Sequence, residues 1–265
     1  MSWIHIVVLA VVQGLTEILP VSSSGHLVLV PNVMDWKDQG LVFDVAVHFG
    51  TLVAICLYFR EDLLRTVQGA FRVLGGDTRS RESQLALCIA LGTIPAAIAG
   101  LLFAGWIAEN LRDPKVVVVT LSGYAVLLAL ADWFGKRRRE MADLGIGGAL
   151  LIGMAQALAL IPGTSRSGVT ITAGMALGLK RREAARFSFL LSVPVILLAA
   201  LYETAQVFME GATATFGTLA MGALISCVVA YLTINFFMRV INSIGLVPFA
   251  VYRILLAAVI LLVVV

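Results

Sequence analysis

The sequence predicts an all-α polytopic membrane protein built as an inverted repeat, each half a re-entrant helix hairpin followed by three transmembrane helices. Three observations carry that expectation: an apolar composition, six uninterrupted apolar segments, and two interrupted ones that match each other.

Of 265 residues, 60% are hydrophobic and only 13% charged, and the mean hydropathy is +0.99. Soluble chains carry about 25% charged residues, so much of this surface must face lipid. No Pro-, Ser- or Gly-rich linker divides the chain, which reads as a single membrane domain with repeat halves at about 1–134 and 145–265. The opening MSWIHIVVLAVVQG lacks a cationic start and an A-x-A-like cleavage site, so it is expected to be mature structure. Cys56, Cys88 and Cys227 stand singly in apolar stretches, as buried small hydrophobes do. A net charge of +3, gathered in short runs beside apolar segments, argues for membrane topology and against a nucleic-acid partner.

A helix needs roughly 20 apolar residues to cross the hydrocarbon core. Segments at about 41–59, 85–107, 115–134, 187–208, 215–238 and 246–265 meet that length. Residues 3–30 are apolar but broken by Pro20 and a Ser-Ser-Ser-Gly run; residues 145–179 are broken by Pro162 to Gly168. Their distal arms, 27–34 and 169–179, are too short to cross. Each broken region therefore reads as a hairpin that enters and leaves on one face, the alternative being two kinked, complete spans.

Lys and Arg set the orientation. With both hairpins re-entrant, the connections at 60–84, 135–144, 178–186 and 239–245 share a side and hold fourteen basic residues, among them Lys136, Arg137, Arg138 and Arg139. The opposite side holds Lys37, Arg112 and Lys115. The positive-inside rule puts the first set in the cytoplasm and both termini outside.

Sliding the sequence by 143 residues superposes the broken regions without a gap: VVQGLTEILPVSSSGHLV (11–28) lies over MAQALALIPGTSRSGVTI (154–171). Gln13 meets Gln156, Ser22 meets Ser165, Ser23 meets Arg166, Ser24 meets Ser167 and Gly25 meets Gly168. Three spans follow each hairpin, so the second half runs inverted and the two broken tips are expected to meet near the midplane.

Those tips are polar where polarity is expensive. A charge at the bilayer centre costs about 2.5–3.5 kcal/mol or more, which makes Glu17 and Arg166 functional candidates; a purely structural ion pair is the alternative. Small hydroxyl residues and a glycine open a short helix at each tip, where unpaired N–H groups suit an anion. Helix capping would account for any one serine but not for five. An arginine among them can hold two oxygens of a phosphate. The expected phosphate-binding set is Ser22, Ser24, Gly25, Thr164, Ser165, Arg166, Ser167 and Gly168. Hydrolysis adds a nucleophile from Ser22, Ser23, Ser24 or His26, with Glu17 to orient or deprotonate it or to hold a divalent cation. His5 and His48 read as structural, and Arg253, inside the last span, as either snorkelling or facing a polar interior.

Gln13-Gly14-Leu15-Thr16-Glu17, the following Pro20 to His26, and Pro162 to Thr170 resemble the two signature motifs of the BacA-type undecaprenyl-diphosphate phosphatases. The likeness runs along the whole chain to Pro248-Phe249-Ala250-Val251-Tyr252-Arg253. It implies release of phosphate from a polyprenyl diphosphate lipid to give the carrier reused in peptidoglycan synthesis, an outward-opening site, bacitracin tolerance, and a divalent cation, Mg2+ or Ca2+. By position it makes Glu17 the acidic catalytic or metal residue, Ser23 the nucleophile, His26 a catalytic partner and Arg166 the phosphate clamp. Gln13 stands where many relatives carry Glu, which weakens a two-carboxylate metal site of Gln13 and Glu17. A transporter or flippase of the same phosphorylated lipid is the alternative, since inverted repeats with broken helices are transporter architecture. Self-association as a homo-oligomer stays open.

Overall fold

A computed structural model describes residues 2–36, 39–111, 113–210 and 215–265. Among them the chain is helical throughout, with no strand beyond one isolated bridge between Arg139 and Leu179. Eleven α-helices follow in order: α1 Trp3–Thr16, α2 Ser23–Val33, α3 Leu41–Tyr58, α4 Arg60–Leu74, α5 Arg81–Asn110, α6 Pro114–Phe134, α7 Gly145–Ala157, α8 Arg166–Ala176, α9 Arg181–Glu210, α10 Phe216–Ile244 and α11 Val247–Val263.

Five of these, α3, α5, α6, α9 and α10, are long and apolar enough to cross a membrane, and the chain is a multi-pass membrane protein. The sixth expected span, α11, is 17 residues long and falls just short of that length. The broken regions form two pairs of short helices, α1–α2 and α7–α8. At 1.5 Å per residue, α2 and α8, 11 residues each, reach only about half of a hydrocarbon core roughly 30 Å thick. Both begin at the serine run, several residues before the distal arms read from the sequence. Residues 60–84, expected as a connection, contain α4, whose exposed Leu64, Val67, Phe71 and Leu74 form one apolar stripe at helical spacing.

Helices approach closely where side chains vanish. A Cβ on Gly153 of α7 would fall on the carbonyl of Gly92 in α5, and one on Gly50 of α3 on the carbonyl of Ala223 in α10. Without a hydrophobic drive between helices in lipid, such backbone contact supplies the packing energy. Phe187, Phe189, Phe237, Ile55, Ile152 and Met175 fill the centre, all fully buried.

Ion pairs draw the basic connections to one end. Arg186 Nε donates to Asp62 Oδ2 at 2.8 Å, Arg181 pairs with Asp132 and donates to the Asn242 carbonyl, and Lys180 pairs with Glu140. The connections after α3, α6, α8 and α10 thus meet, as the charge pattern requires. Lys37 and Arg112, expected at the other end, lie outside the described residues.

Candidate active site

The turns that open α2 and α8 share an unusual backbone. Ser22 has φ 74° and ψ 100°; Ser165, 143 positions later, has φ 69° and ψ 110°. Positive φ in a non-glycine residue costs about 1–3 kcal/mol and persists only where the surroundings impose it. Here the two turns hold each other: the N–H of Gly163 donates to Ser24 Oγ at 3.2 Å, and Ser167 Oγ donates to the carbonyl of Leu19 at 3.2 Å.

A third element braces both. Arg253 of α11 is completely buried. Its Nη2 donates to the carbonyls of Gly163 (3.0 Å) and Thr164 (2.9 Å), Nη1 to that of Pro20 (3.5 Å) and Nε to that of Leu121 (3.3 Å). Among the described residues no carboxylate pairs with it; the carbonyl dipoles of the two turns and of Leu121 in α6 surround it instead. This excludes snorkelling and gives Arg253 a place in the polar interior.

Glu17, at the end of α1, is the meeting point. Its Oε1 accepts from Arg166 Nη2 at 2.9 Å, and its Oε2 accepts from Ser23 Oγ at 2.8 Å and from Gln13 Nε2 at 3.3 Å. Arg166 Nη1 is buried and has no acceptor among the described residues. A buried guanidinium nitrogen without a partner is costly, and an oxyanion supplies what it lacks. The two helix ends differ as well. The N–H of Gly168 is capped by Ser165 Oγ at 3.1 Å, whereas no side chain caps α2, whose first-turn N–H groups stay available to an anion.

These groups line a cavity of about 270 Å³. Glu17, Ser22, Ser23, Ser24, Ser165, Arg166 and Ser167 face it on the polar side, and Ala96, Leu160, Val195, Ile196 and Ala199 form an apolar wall. It has room for a group the size of a diphosphate and not for a long hydrocarbon chain.

Several expected residues stand elsewhere. His26 is turned from the cavity, its Nδ1 2.8 Å from the Ser22 carbonyl and its Nε2 2.7 Å from the Tyr252 hydroxyl. Gly25 packs towards Leu121 and Leu256. Thr164 is buried off the cavity, its carbonyl taken by Arg253, and the Gly168 N–H is spent on its cap. Conversely, His48, read as structural, lines the cavity with Nε2 3.7 Å from Glu17 Oε2. Asp44, His48 and Thr51 form a polar stripe at helical spacing on α3, and that stripe was the available signal. Gln156 and Glu203 also line the cavity, and both amide atoms of Gln156 are buried without partners among the described residues. Its match to Gln13 pointed to it. Among the described residues no three His, Cys, Asp or Glu side chains cluster closely enough to hold a metal ion.

The family described as Bacitracin resistance protein BacA matches residues 6–259. An undecaprenyl-diphosphatase of Alcanivorax borkumensis is 49% identical over 261 residues, covering 98% of each chain. One from Nitrosococcus oceani is 50% identical over 258 residues, 97% of each chain, and undecaprenyl-diphosphatase 2 of Stutzerimonas stutzeri is 50% identical over 265 residues, 98% of each.

Proposed function

The chain belongs to the BacA family of bacitracin resistance proteins, and from that premise we propose that it hydrolyses undecaprenyl diphosphate to undecaprenyl phosphate and inorganic phosphate, recycling the carrier lipid of the cell wall. The observation that carries the chemistry is the Glu17 carboxylate, held on one oxygen by Arg166 and on the other by the Ser23 hydroxyl.

The terminal phosphate enters between the uncapped start of α2 and the unpaired Nη1 of Arg166. Glu17 Oε2 already accepts a hydrogen bond from the Ser23 hydroxyl. As Ser23 Oγ forms its bond to phosphorus and the bond to the bridging oxygen breaks, the hydroxyl proton passes through Glu17 to the departing lipid phosphate, and Glu17 is again a carboxylate. Water then cleaves the phosphoserine, Glu17 taking a proton from the attacking water and delivering it to Ser23 Oγ, which recovers its hydroxyl. Arg166 and the helix N–H groups stabilise charge on the transferring phosphoryl oxygens, where most of the catalysis of such reactions lies. Ser23 is favoured over His26 because its hydroxyl already donates to the carboxylate, whereas His26 would first have to leave Tyr252.

A divalent cation, implied by the family likeness, would sit at Gln13 and Glu17, where Gln13 Oε1 is buried without a partner. One or two protein oxygens would be enough to hold such an ion, with water and the diphosphate supplying the others. It would neutralise charge on the diphosphate.

We further infer that α1–α2 and α7–α8 are re-entrant hairpins of an inverted repeat, with halves at about 1–134 and 145–265. Their matching backbone turns, short arms and mutual contacts support this. Six spans, α11 included, then leave the basic connections in the cytoplasm, both termini outside the inner membrane and the site open outward. Transport of the lipid without hydrolysis would need Arg166 but not a serine hydroxyl on a carboxylate.

The test is phosphate release from undecaprenyl diphosphate by purified protein. Release should fall at least about 100-fold in Glu17→Gln, which keeps the volume of the side chain and loses the base. Unchanged release would remove Glu17 from the reaction.

A further inference from the structure

At the end where the basic connections meet, a second hollow lies at the C-terminal end of α8, whose N-terminal turn lines the active cavity. Leu127, Leu130 and Phe134 of α6 form its apolar wall, with Ala176 and Leu177 from the end of α8, and its volume is about 730 Å³. Leu127, Leu130 and Phe134 fall on one helical strip and are all exposed, so a chain of the surrounding lipid can lie along them. Lys136, Arg138 and Arg139 close the hollow at its outer end, and no acidic side chain lines it.

The segment bearing those cations is fixed in place. The N–H groups of Arg138 and Arg139 both donate to the Gly178 carbonyl, at 3.0 and 2.9 Å, and Lys180 N–H donates to the Arg139 carbonyl at 3.0 Å. Arg137 takes φ 48°, a left-handed turn that the segment needs to meet the end of α8. Arg139 is occupied with the carbonyls of Leu177 and Asp143. The side chains of Lys136 and Arg138 are exposed and, among the described residues, have no hydrogen-bond or ion-pair partner.

A general excess of positive charge at this end, as topology alone demands, does not produce that arrangement. The neighbouring hollow shows the contrast: there Arg65, Arg79, Arg81 and Arg186 are interleaved with Asp62, Glu82, Glu140, Asp143 and Glu183 and neutralise one another. The α6–α8 hollow instead sets three cations and no carboxylate at the end of an apolar wall.

We propose that the α6–α8 hollow binds an anionic phospholipid of its own leaflet, with the phosphate on Lys136 and Arg138 and an acyl chain along Leu127, Leu130 and Phe134. An anionic headgroup complements the two unpaired cations, whereas a zwitterionic one would bring its ammonium to the same place. The site is separate from the catalytic cavity and shares no lining residue with it.

The experiment uses the full-length protein in neutral detergent, titrated with phosphatidylglycerol or phosphatidylcholine, with bound lipid counted by mass spectrometry of the intact protein. Phosphatidylglycerol should be retained in preference to phosphatidylcholine. The Lys136→Gln/Arg138→Gln variant should bind phosphatidylglycerol roughly 10–30-fold more weakly, as two lost surface cations imply, and keep its phosphatase activity. Arg79→Gln/Arg81→Gln removes the same charge from the neighbouring hollow and should change retention little. Equal retention of the two lipids by the parent protein would overturn the proposal without recourse to any variant. Equal losses in both double variants would reduce the effect to general surface charge, and a preference for polyprenyl phosphate over phosphatidylglycerol at this hollow would assign it to a different lipid; each overturns the proposal.

Discussion

Arg166→Lys separates the two tasks that the guanidinium performs. In the folded protein Nη2 is engaged with Glu17 at 2.9 Å, and Nη1 is buried without an acceptor. Lysine keeps the positive charge and can still pair with Glu17, but its single ammonium cannot hold the carboxylate and a phosphoryl oxygen in one plane. The loss is therefore one charge-assisted hydrogen bond made when the phosphate is bound, worth about 1.5–3 kcal/mol. At roughly 1.4 kcal/mol per decade, kcat/KM should fall about 10- to 150-fold. Arg166→Met removes the charge as well, leaves Glu17 uncompensated in a site where it is only 9% exposed, and should be worse in both rate and stability. The assay is initial-rate phosphate release from undecaprenyl diphosphate across a range of substrate, with thermal unfolding of each variant in the same detergent. A lysine variant within about threefold of the parent, or a methionine variant no worse than the lysine one, would refute the idea that Nη1 awaits a phosphate.

Three further outcomes follow from the packing and the turns. Arg253→Met fills a similar volume but leaves the carbonyls of Pro20, Leu121, Gly163 and Thr164 without their donor; unfolding in detergent should show a loss of about 3 kcal/mol or more, with activity falling alongside. Gly153→Val drives a side chain into the Gly92 carbonyl and should cost about 1–3 kcal/mol of stability in the same measurement. Ser165→Gly relieves a positive φ at the cost of its cap on Gly168, a cap that glycine replaces at only a few tenths of a kcal/mol; the variant should be more stable by about 1 kcal/mol and less active in phosphate release.

How far the site could be read in advance depended on chain neighbourhood. Glu17, Ser23 and Arg166 stand in two short motifs whose cost in lipid announces them, and the structure brings all three together. The histidines show the limit. His26 adjoins the serine run in sequence, but the first turn of α2 points its ring at Tyr252, more than 200 positions away. His48 has no such neighbours in sequence and reaches Glu17 only because α3 packs beside α1. Which face of an apolar span turns inward is decided by its partners, and only the stripe of Asp44, His48 and Thr51 hints at it. The same holds for α4. Its arginines resemble a loop in composition, while the stripe from Leu64 to Leu74 identifies a helix once 3.6-residue spacing is sought.

The brace supplied by Arg253 has a consequence for the timing of biosynthesis. Both serine turns are complete in sequence by Gly168, yet the guanidinium that holds them belongs to α11, synthesised after two further long helices. A nascent polypeptide that stops short of α11 can carry Glu17, Ser23 and Arg166 and still lack the clasp that sets the two turns against each other. The pairing of the turns thus waits for a helix distant from both in the order of synthesis.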